Sequence, residues 1–115
     1  MDYGKEVILD MHECDPSKFT RKSIGGYFKE LCDLIDMERC ELCWWEENEG
    51  EPHLVGISAV QFIKTSNIVI HTLDILKRVY LNIFSCKNFD DNDAIQFSQS
   101  WFGGKIVNKS IIRRV

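Results

Sequence analysis

The spacing of apolar residues predicts two helices in this chain. Helical spacing extends from about residue 17 to residue 37, where one apolar stripe is formed by Ile24, Phe28, Leu31 and Ile35. We expect Asp15 to cap this helix and Pro16 to be its first residue, because the N–H that proline lacks has no partner at that position. A second helix is predicted over residues 90–102, ended by Gly103-Gly104.

Shorter runs of branched apolar residues predict six strands, at residues 6–11, 39–45, 54–63, 68–72, 78–86 and 105–112. The run at 78–86 alternates strictly, so Tyr80, Asn82 and Phe84 should share one face of a sheet. Links of hairpin length in the middle favour antiparallel pairing. We predict an α+β fold: a two-layer sandwich in which two helices cover one face of a mainly antiparallel sheet. The other face is also rich in apolar residues, which predicts a homodimer that covers it.

Composition defines the class of the molecule. With 115 residues, of which 44% are apolar and 28% charged, the chain is expected to form a single domain over residues 1–115. Its net charge of −4 argues against a nucleic-acid partner, because phosphate contacts need clustered Lys and Arg. No apolar run approaches the ~20 residues of a membrane-spanning helix, and no signal sequence is visible. We therefore expect a cytoplasmic protein without a membrane partner.

The cysteines offer little chemistry when they are taken alone. Their number, five, is odd, and without an export signal we expect thiols rather than disulfides. Cys40 and Cys43 form a lone CxxC motif. A zinc site would need two further ligands at the usual spacing, so no metal is predicted and both residues are interpreted as ordinary thiols.

A possible catalytic set consists of Ser58, Ser66, His71 and Cys86. His71 lies in the apolar strand IVIHT, where a histidine must find hydrogen-bond partners. Ser66 lies five residues earlier, which is the wrong parity for one face of a regular strand. That objection weakens if Ser66 belongs to a turn at the start of the strand. His12 and His53 are interpreted as structural or exposed residues.

The spacing of these four residues carries a family resemblance. The stretch GISAVQFIKTSNIVIHT, followed by YLNIFSC, resembles the core of the prokaryotic S-adenosylmethionine decarboxylase proenzymes. Without a gap from residue 56 to residue 86, Ser66 matches their self-processing serine, Ser58 their second serine, His71 their histidine and Cys86 their catalytic cysteine. ILDMHECD resembles their first strand and KIVNKSIIRR their last, so the resemblance spans nearly the whole chain.

The resemblance implies that the protein makes its own cofactor, a pyruvoyl group generated from Ser66. The Ser66 hydroxyl would attack the Thr65 carbonyl, Ser58 would stabilise the cyclic intermediate, and His71 would remove the Ser66 α-proton. The chain would be cut between residues 65 and 66. The pyruvoyl carbonyl would form a Schiff base with a small-molecule substrate, and Cys86 would return a proton after carbon dioxide leaves. In the family, active sites lie at the dimer interface and the product feeds spermidine synthesis.

The sequence departs from the family where the nucleoside should bind. Leu73-Asp74-Ile75 stands where the family has Trp-Pro-Glu, whose glutamate binds the ribose hydroxyls, and Ile75 cannot accept hydrogen bonds. Thr65 replaces a glutamate and Asn67 a histidine. The acidic EENEGEP replaces a His-x-Phe segment whose phenylalanine stacks on adenine.

Three functions therefore stay open. The first is decarboxylation of S-adenosylmethionine in polyamine synthesis, with Trp45 (or its neighbour Trp44) stacking on adenine and with Trp45 and Asp10 as candidate substrate-binding residues. The second is the same chemistry on arginine or ornithine, which an acidic loop at residues 46–51 would attract. The third is an unprocessed, catalytically silent relative that regulates a partner.

Overall fold

The computed structural model describes residues 2–115, so Met1 of the predicted domain lies outside it. Six strands form one antiparallel sheet in the order β2-β3-β4-β5-β1-β6. The elements in chain order are β1 (Gly4–His12), a 3-10 helix (Pro16–Lys18), α1 (Arg21–Leu34), β2 (Arg39–Glu47), β3 (Gly56–Ile63), β4 (Ser66–Leu73), β5 (Arg78–Ser85), α2 (Asp91–Phe102) and β6 (Lys105–Arg114). The predicted α+β sandwich and its order of elements are confirmed.

The first helix begins later than the sequence predicts. Asp15 accepts the Ser17 N–H at 3.0 Å, but it caps only the short 3-10 helix. The chain then leaves helical geometry at Phe19, whose side chain is buried. Thr20 starts the α-helix proper by accepting the Ser23 N–H at 3.1 Å. Two N-cap signals five residues apart thus divide one predicted helix into a turn and a shorter helix.

The second helix has the predicted ends. Asp90 caps it by accepting the Asp93 N–H at 3.0 Å. Gly103 follows it with a φ of 67°, in the left-handed region that glycine adopts without steric cost, and donates its N–H to the Gln99 carbonyl at 2.8 Å. Among residues 2–115, no helix is long and apolar enough to cross a membrane.

Both helices pack on one face of the sheet, and the core lies between the two layers. The predicted alternation in β5 is confirmed: Val79, Leu81 and Ile83 are buried, whereas the residues between them are half-buried. The two helices are joined by a hydrogen bond of 2.6 Å between the buried hydroxyls of Tyr27 and Ser98. We call the other side of the sheet the open face. It carries half-buried or exposed apolar side chains, which include Ile8, Val60, Phe62, Val69, Phe84 and Ile112.

Truncating Leu81, which is 1% exposed, should leave a cavity between the helices and the sheet. We expect Leu81→Ala to lower the free energy of unfolding by about 2–5 kcal/mol. The matched control is Leu34→Ala, at a leucine that is 49% exposed, for which the change should stay within about 0.5 kcal/mol. Urea denaturation in a Ser66→Ala background, which keeps the chain in one piece, measures both. Equal losses would contradict the arrangement of the core.

Candidate active site

The four candidate catalytic residues form two pairs, and the first pair lies on the open face. Ser58 of β3 and His71 of β4 are direct partners in the antiparallel ladder, so their side chains point the same way. The Ser58 hydroxyl and His71 Nδ1 lie 2.5 Å apart. This contact satisfies the histidine that the sequence places in an apolar strand, and it fixes the orientation of the ring.

The second pair lies at the opposite end of β4. Ser66 is the first residue of that strand and stands opposite Ser85, and Cys86 directly follows β5. The Cys86 N–H donates a 3.0 Å hydrogen bond to the carbonyl oxygen of Thr65. The carbonyl that Ser66 would have to attack therefore already has a donor on its oxygen. The Cys86 side chain is exposed.

The backbone at Ser66 is strained. Its φ is 153°, a value that residues with a side chain rarely adopt. Such conformations cost about 1–3 kcal/mol and persist only where the surrounding structure imposes them. Here a two-residue turn from β3 into β4 imposes it. The turn itself consists of residues 64 and 65, and Ser66 is already the first paired residue of β4. The parity objection to Ser66 and His71 sharing one face therefore stands.

The structure does not bring the two pairs together within one chain. Ser66 and His71 are five residues apart along the same strand, a separation of about 16 Å. His71 is therefore too far from Ser66 of its own chain to take a proton from it.

A cavity of about 320 Å³ opens beside Cys86. That volume is at the lower end of the range for small-molecule sites. β1 forms one wall, and a Cβ on Gly4 would lie 2.4 Å from the Ser85 carbonyl oxygen, so only glycine lets β1 pass this close. Tyr3 also lines the cavity, and a hydrogen bond with Cys86 raises the pKa of the Tyr3 hydroxyl. Sequence reasoning missed Tyr3, which lies just before the first predicted strand.

A second cavity, of about 170 Å³, lies beside His71. Trp45, 68% exposed, lines it and is the ladder partner of Ser58. Asp10 lies two strands from His71 on the other side, because His71 of β4 pairs with Tyr80 of β5, and Tyr80 pairs with Asp10 of β1. The two candidate substrate-binding residues therefore flank the Ser58–His71 pair in one row across the open face. Sequence reasoning did not single out Tyr80 as a candidate site residue.

Some of the residues that depart from the family pattern lie close to the Ser58–His71 pair or in the turn that follows β4. Ile75 is 56% exposed in the turn between β4 and β5 and offers no hydrogen-bond acceptor in its side chain. Partial burial and the nearby Glu46 charge raise the pKa of its neighbour Asp74. Glu47 places a carboxylate on the cavity beside His71.

The other four cysteines line neither of these two cavities. Burial raises the pKa of Cys14 and of Cys32 to about 11, which keeps these thiols protonated and unreactive. Cys40 and Cys43 are exposed on β2, at the edge of the sheet. Over residues 2–115, no three His, Cys, Asp or Glu side chains are grouped to hold a metal ion.

Known proteins match both the sequence and the fold. S-adenosylmethionine decarboxylase proenzymes of Saccharolobus islandicus (strain L.S.2.15 / Lassen #1) and Saccharolobus solfataricus are 29% identical to the chain over 84 residues. This match covers 72% of the chain but only 64% and 63% of those proteins, less than two thirds of their length. The crystal structure of the adenosylmethionine decarboxylase from Aquifex aeolicus superimposes with a TM-score of 0.84 over 98% of this chain and 91% of that one. At 16% identity, the superposition shows a common fold.

The sequence model of S-adenosylmethionine decarboxylase matches residues 5–115, which is nearly the whole chain. The resemblance seen around Ser58, Ser66, His71 and Cys86 is thereby confirmed at the level of the family. The chain belongs to the S-adenosylmethionine decarboxylase family.

Proposed function

We propose that the protein is a self-processing, pyruvoyl-dependent decarboxylase that acts on S-adenosylmethionine in polyamine synthesis. The observation that carries the proposal is the contact between the Thr65 carbonyl and the Cys86 N–H, with Ser66 next in the chain. The proposed reaction needs the Thr65–Ser66 peptide bond close to Cys86, and this backbone contact supports that requirement. The names of the Saccharolobus relatives support the activity.

The first step transfers the acyl group of Thr65 from nitrogen to oxygen. The Ser66 hydroxyl oxygen adds to the Thr65 carbonyl carbon while the Cys86 N–H stabilises the negative charge that develops on the carbonyl oxygen. The C–N bond then breaks, the Ser66 nitrogen takes the proton, and an ester joins Thr65 to the Ser66 side chain. Breaking this bond releases the strain at Ser66, which favours the ester.

The second step makes the new N-terminus. A base removes the Ser66 α-proton, the ester C–O bond breaks, and Thr65 leaves as a carboxylate. The dehydroalanine left at position 66 tautomerises to an imine, and water hydrolyses it to a pyruvoyl group with loss of ammonia. His71 is the proposed base, with its ring held at Nδ1 by Ser58.

A homodimer would supply the histidine that a single chain lacks at Ser66. In a two-fold dimer, any contact from Ser66 of one copy to His71 of the other is made twice. The open face suits such an interface because it carries the Ser58–His71 pair among exposed apolar residues such as Phe62 and Ile112, which are 44% and 40% exposed. Covering that face in the predicted dimer would also exclude water from the reacting groups.

Cleavage at residue 65 would not release the two pieces. β1, β2 and β3 belong to the first piece, and β4, β5 and β6 belong to the second. In the sheet, β1 lies between β5 and β6 of the other piece. Because the pieces interleave, hydrogen bonds of three ladders hold them together after the cut.

The pyruvoyl group, once formed, supplies an electrophilic carbonyl that takes up the electrons left when carbon dioxide departs. Cys86 would then return a proton to the substrate, because its side chain is exposed and lines the 320 Å³ cavity. Trp45 offers an exposed ring on which adenine would stack, next to Ser58 on the open face.

A second candidate keeps this chemistry and changes the substrate to arginine or ornithine. Ile75 provides no oxygen for ribose hydroxyls, and Glu47 places a carboxylate in the cavity beside His71 that would pair with a cationic side chain. A third, an unprocessed regulatory relative, would leave the chain whole.

The mass of the denatured protein tests self-processing. We expect two fragments, residues 1–65 and 66–115, with the second lacking a free amino terminus because position 66 carries a pyruvoyl group. Ser66→Ala removes the attacking oxygen and should leave a chain of 13.4 kDa. A wild-type chain that stays whole on long incubation would contradict the proposal and favour the regulatory relative.

Carbon dioxide release from a panel of substrates identifies the substrate. We expect turnover of S-adenosylmethionine and none of arginine or ornithine. Ile75→Glu should lower KM for S-adenosylmethionine by roughly 10-fold or more, because a carboxylate would accept the ribose hydrogen bonds. Ile75→Leu is the matched control and should leave KM unchanged. Turnover of arginine or ornithine alone would establish the second candidate instead.

A further inference from the structure

Thr65, the residue before the proposed cleavage point, is held by its side chain as well as by its carbonyl. The Thr65 and Ser85 hydroxyl oxygens lie 2.7 Å apart. Ser85 is completely buried, and its oxygen also accepts the Lys87 N–H at 3.0 Å. Both hydroxyls lie 3.5 Å from the sulfur of Met37, which can accept the remaining proton. The contact is thus part of a hydrogen-bonded cluster in which Ser85 and Met37 are buried and Thr65 is half-buried.

The two contacts to Thr65 come from adjacent residues. Ser85 holds the side chain, and the N–H of Cys86 holds the carbonyl oxygen at 3.0 Å. Two attachment points on one residue restrict rotation of the peptide plane between Thr65 and Ser66. The carbonyl oxygen is therefore kept on its donor, and the strained φ of Ser66 is kept from relaxing.

We propose that the Thr65–Ser85 hydrogen bond is a positioning contact for self-cleavage: it aligns the Thr65 carbonyl on the Cys86 N–H for attack by Ser66. The inference rests on the proposed self-processing. Threonine suits the position because its short side chain brings a hydroxyl within 2.7 Å of the Ser85 hydroxyl while it contacts Met37.

The contact should act on the first chemical step. Without the hydroxyl the peptide plane is free to turn, and fewer chains have the carbonyl in line with its donor at any moment. The loss of one neutral hydrogen bond corresponds to a rate reduction of roughly 5- to 10-fold. The elimination step, which depends on a base near the Ser66 α-proton, should not change.

The test follows cleavage after freshly made chain is refolded from urea, with intact mass recorded over time. Thr65→Val keeps the shape of threonine and removes its hydroxyl, and we expect cleavage roughly 5- to 10-fold slower than in the wild type. Thr65→Ser restores the hydroxyl and should restore the rate. Thr72→Val is the control, because it removes the buried hydroxyl of a threonine within β4, which is bonded to Ile57 and not to Ser85.

Hydroxylamine, which cleaves esters, distinguishes the two steps. It should not accelerate cleavage of Thr65→Val, because a slow first step lets no ester accumulate, whereas His71→Ala should accumulate ester and be cleaved by hydroxylamine. Should Thr65→Val fail to fold, Ser85→Ala removes the same contact from its other side. If the wild type is cleaved and these variants are cleaved at the same rate, the positioning role is overturned but the proposed function is not. The same holds if Thr72→Val slows cleavage as much as Thr65→Val does. An uncleaved wild type would overturn the proposed function.

Discussion

The register of β4 between its two neighbours determines where every proposed reactive group lies. On one side it sets His71 opposite Ser58, and on the other it sets Ser66 opposite Ser85. A slip of one residue would turn Ser58 and His71 to opposite faces and would move Thr65 away from the Cys86 N–H. Buried residues Ile68 and Ile70 hold the register, because a slip would expose them on the open face.

The same register keeps the two pairs of candidate residues apart along the strand. One end of β4 carries a strained serine and a carbonyl already bound to an N–H donor, and the other end carries a serine–histidine pair. Neither end is sufficient for the proposed chemistry. A two-fold dimer with its interface on the open face would bring His71 of each copy to Ser66 of the other. It would also cover the apolar residues that this face exposes in a single chain.

Much of this could be predicted from the sequence because it depends on local patterns. The period-two alternation of β5 and the end of α2 at Gly103 followed from residue types alone. The start of α1 was mistaken because Asp15-Pro16 and Thr20 are both valid start signals, and only the burial of Phe19 decides between them.

The contacts of Thr65 and Tyr3 were not predictable, because each involves a residue at least 20 positions away in the chain. The spacing of the four candidate catalytic residues pointed to the family, but it could not show that Ser66 and His71 lie about 16 Å apart. That separation follows from both lying on β4, where Ser66 is the first residue and five residues of extended chain lead to His71.

Cleavage in mixed dimers shows whether His71 of one copy acts on Ser66 of the other. Ser66→Ala lacks the hydroxyl to be processed, and His71→Ala lacks the base, so neither chain alone should reach the pyruvoyl form. When the two are co-expressed with different tags, we expect the His71→Ala chain to be processed by His71 of its Ser66→Ala partner. An unprocessed His71→Ala chain in folded mixed dimers, or wild-type processing of His71→Ala alone, would contradict this expectation.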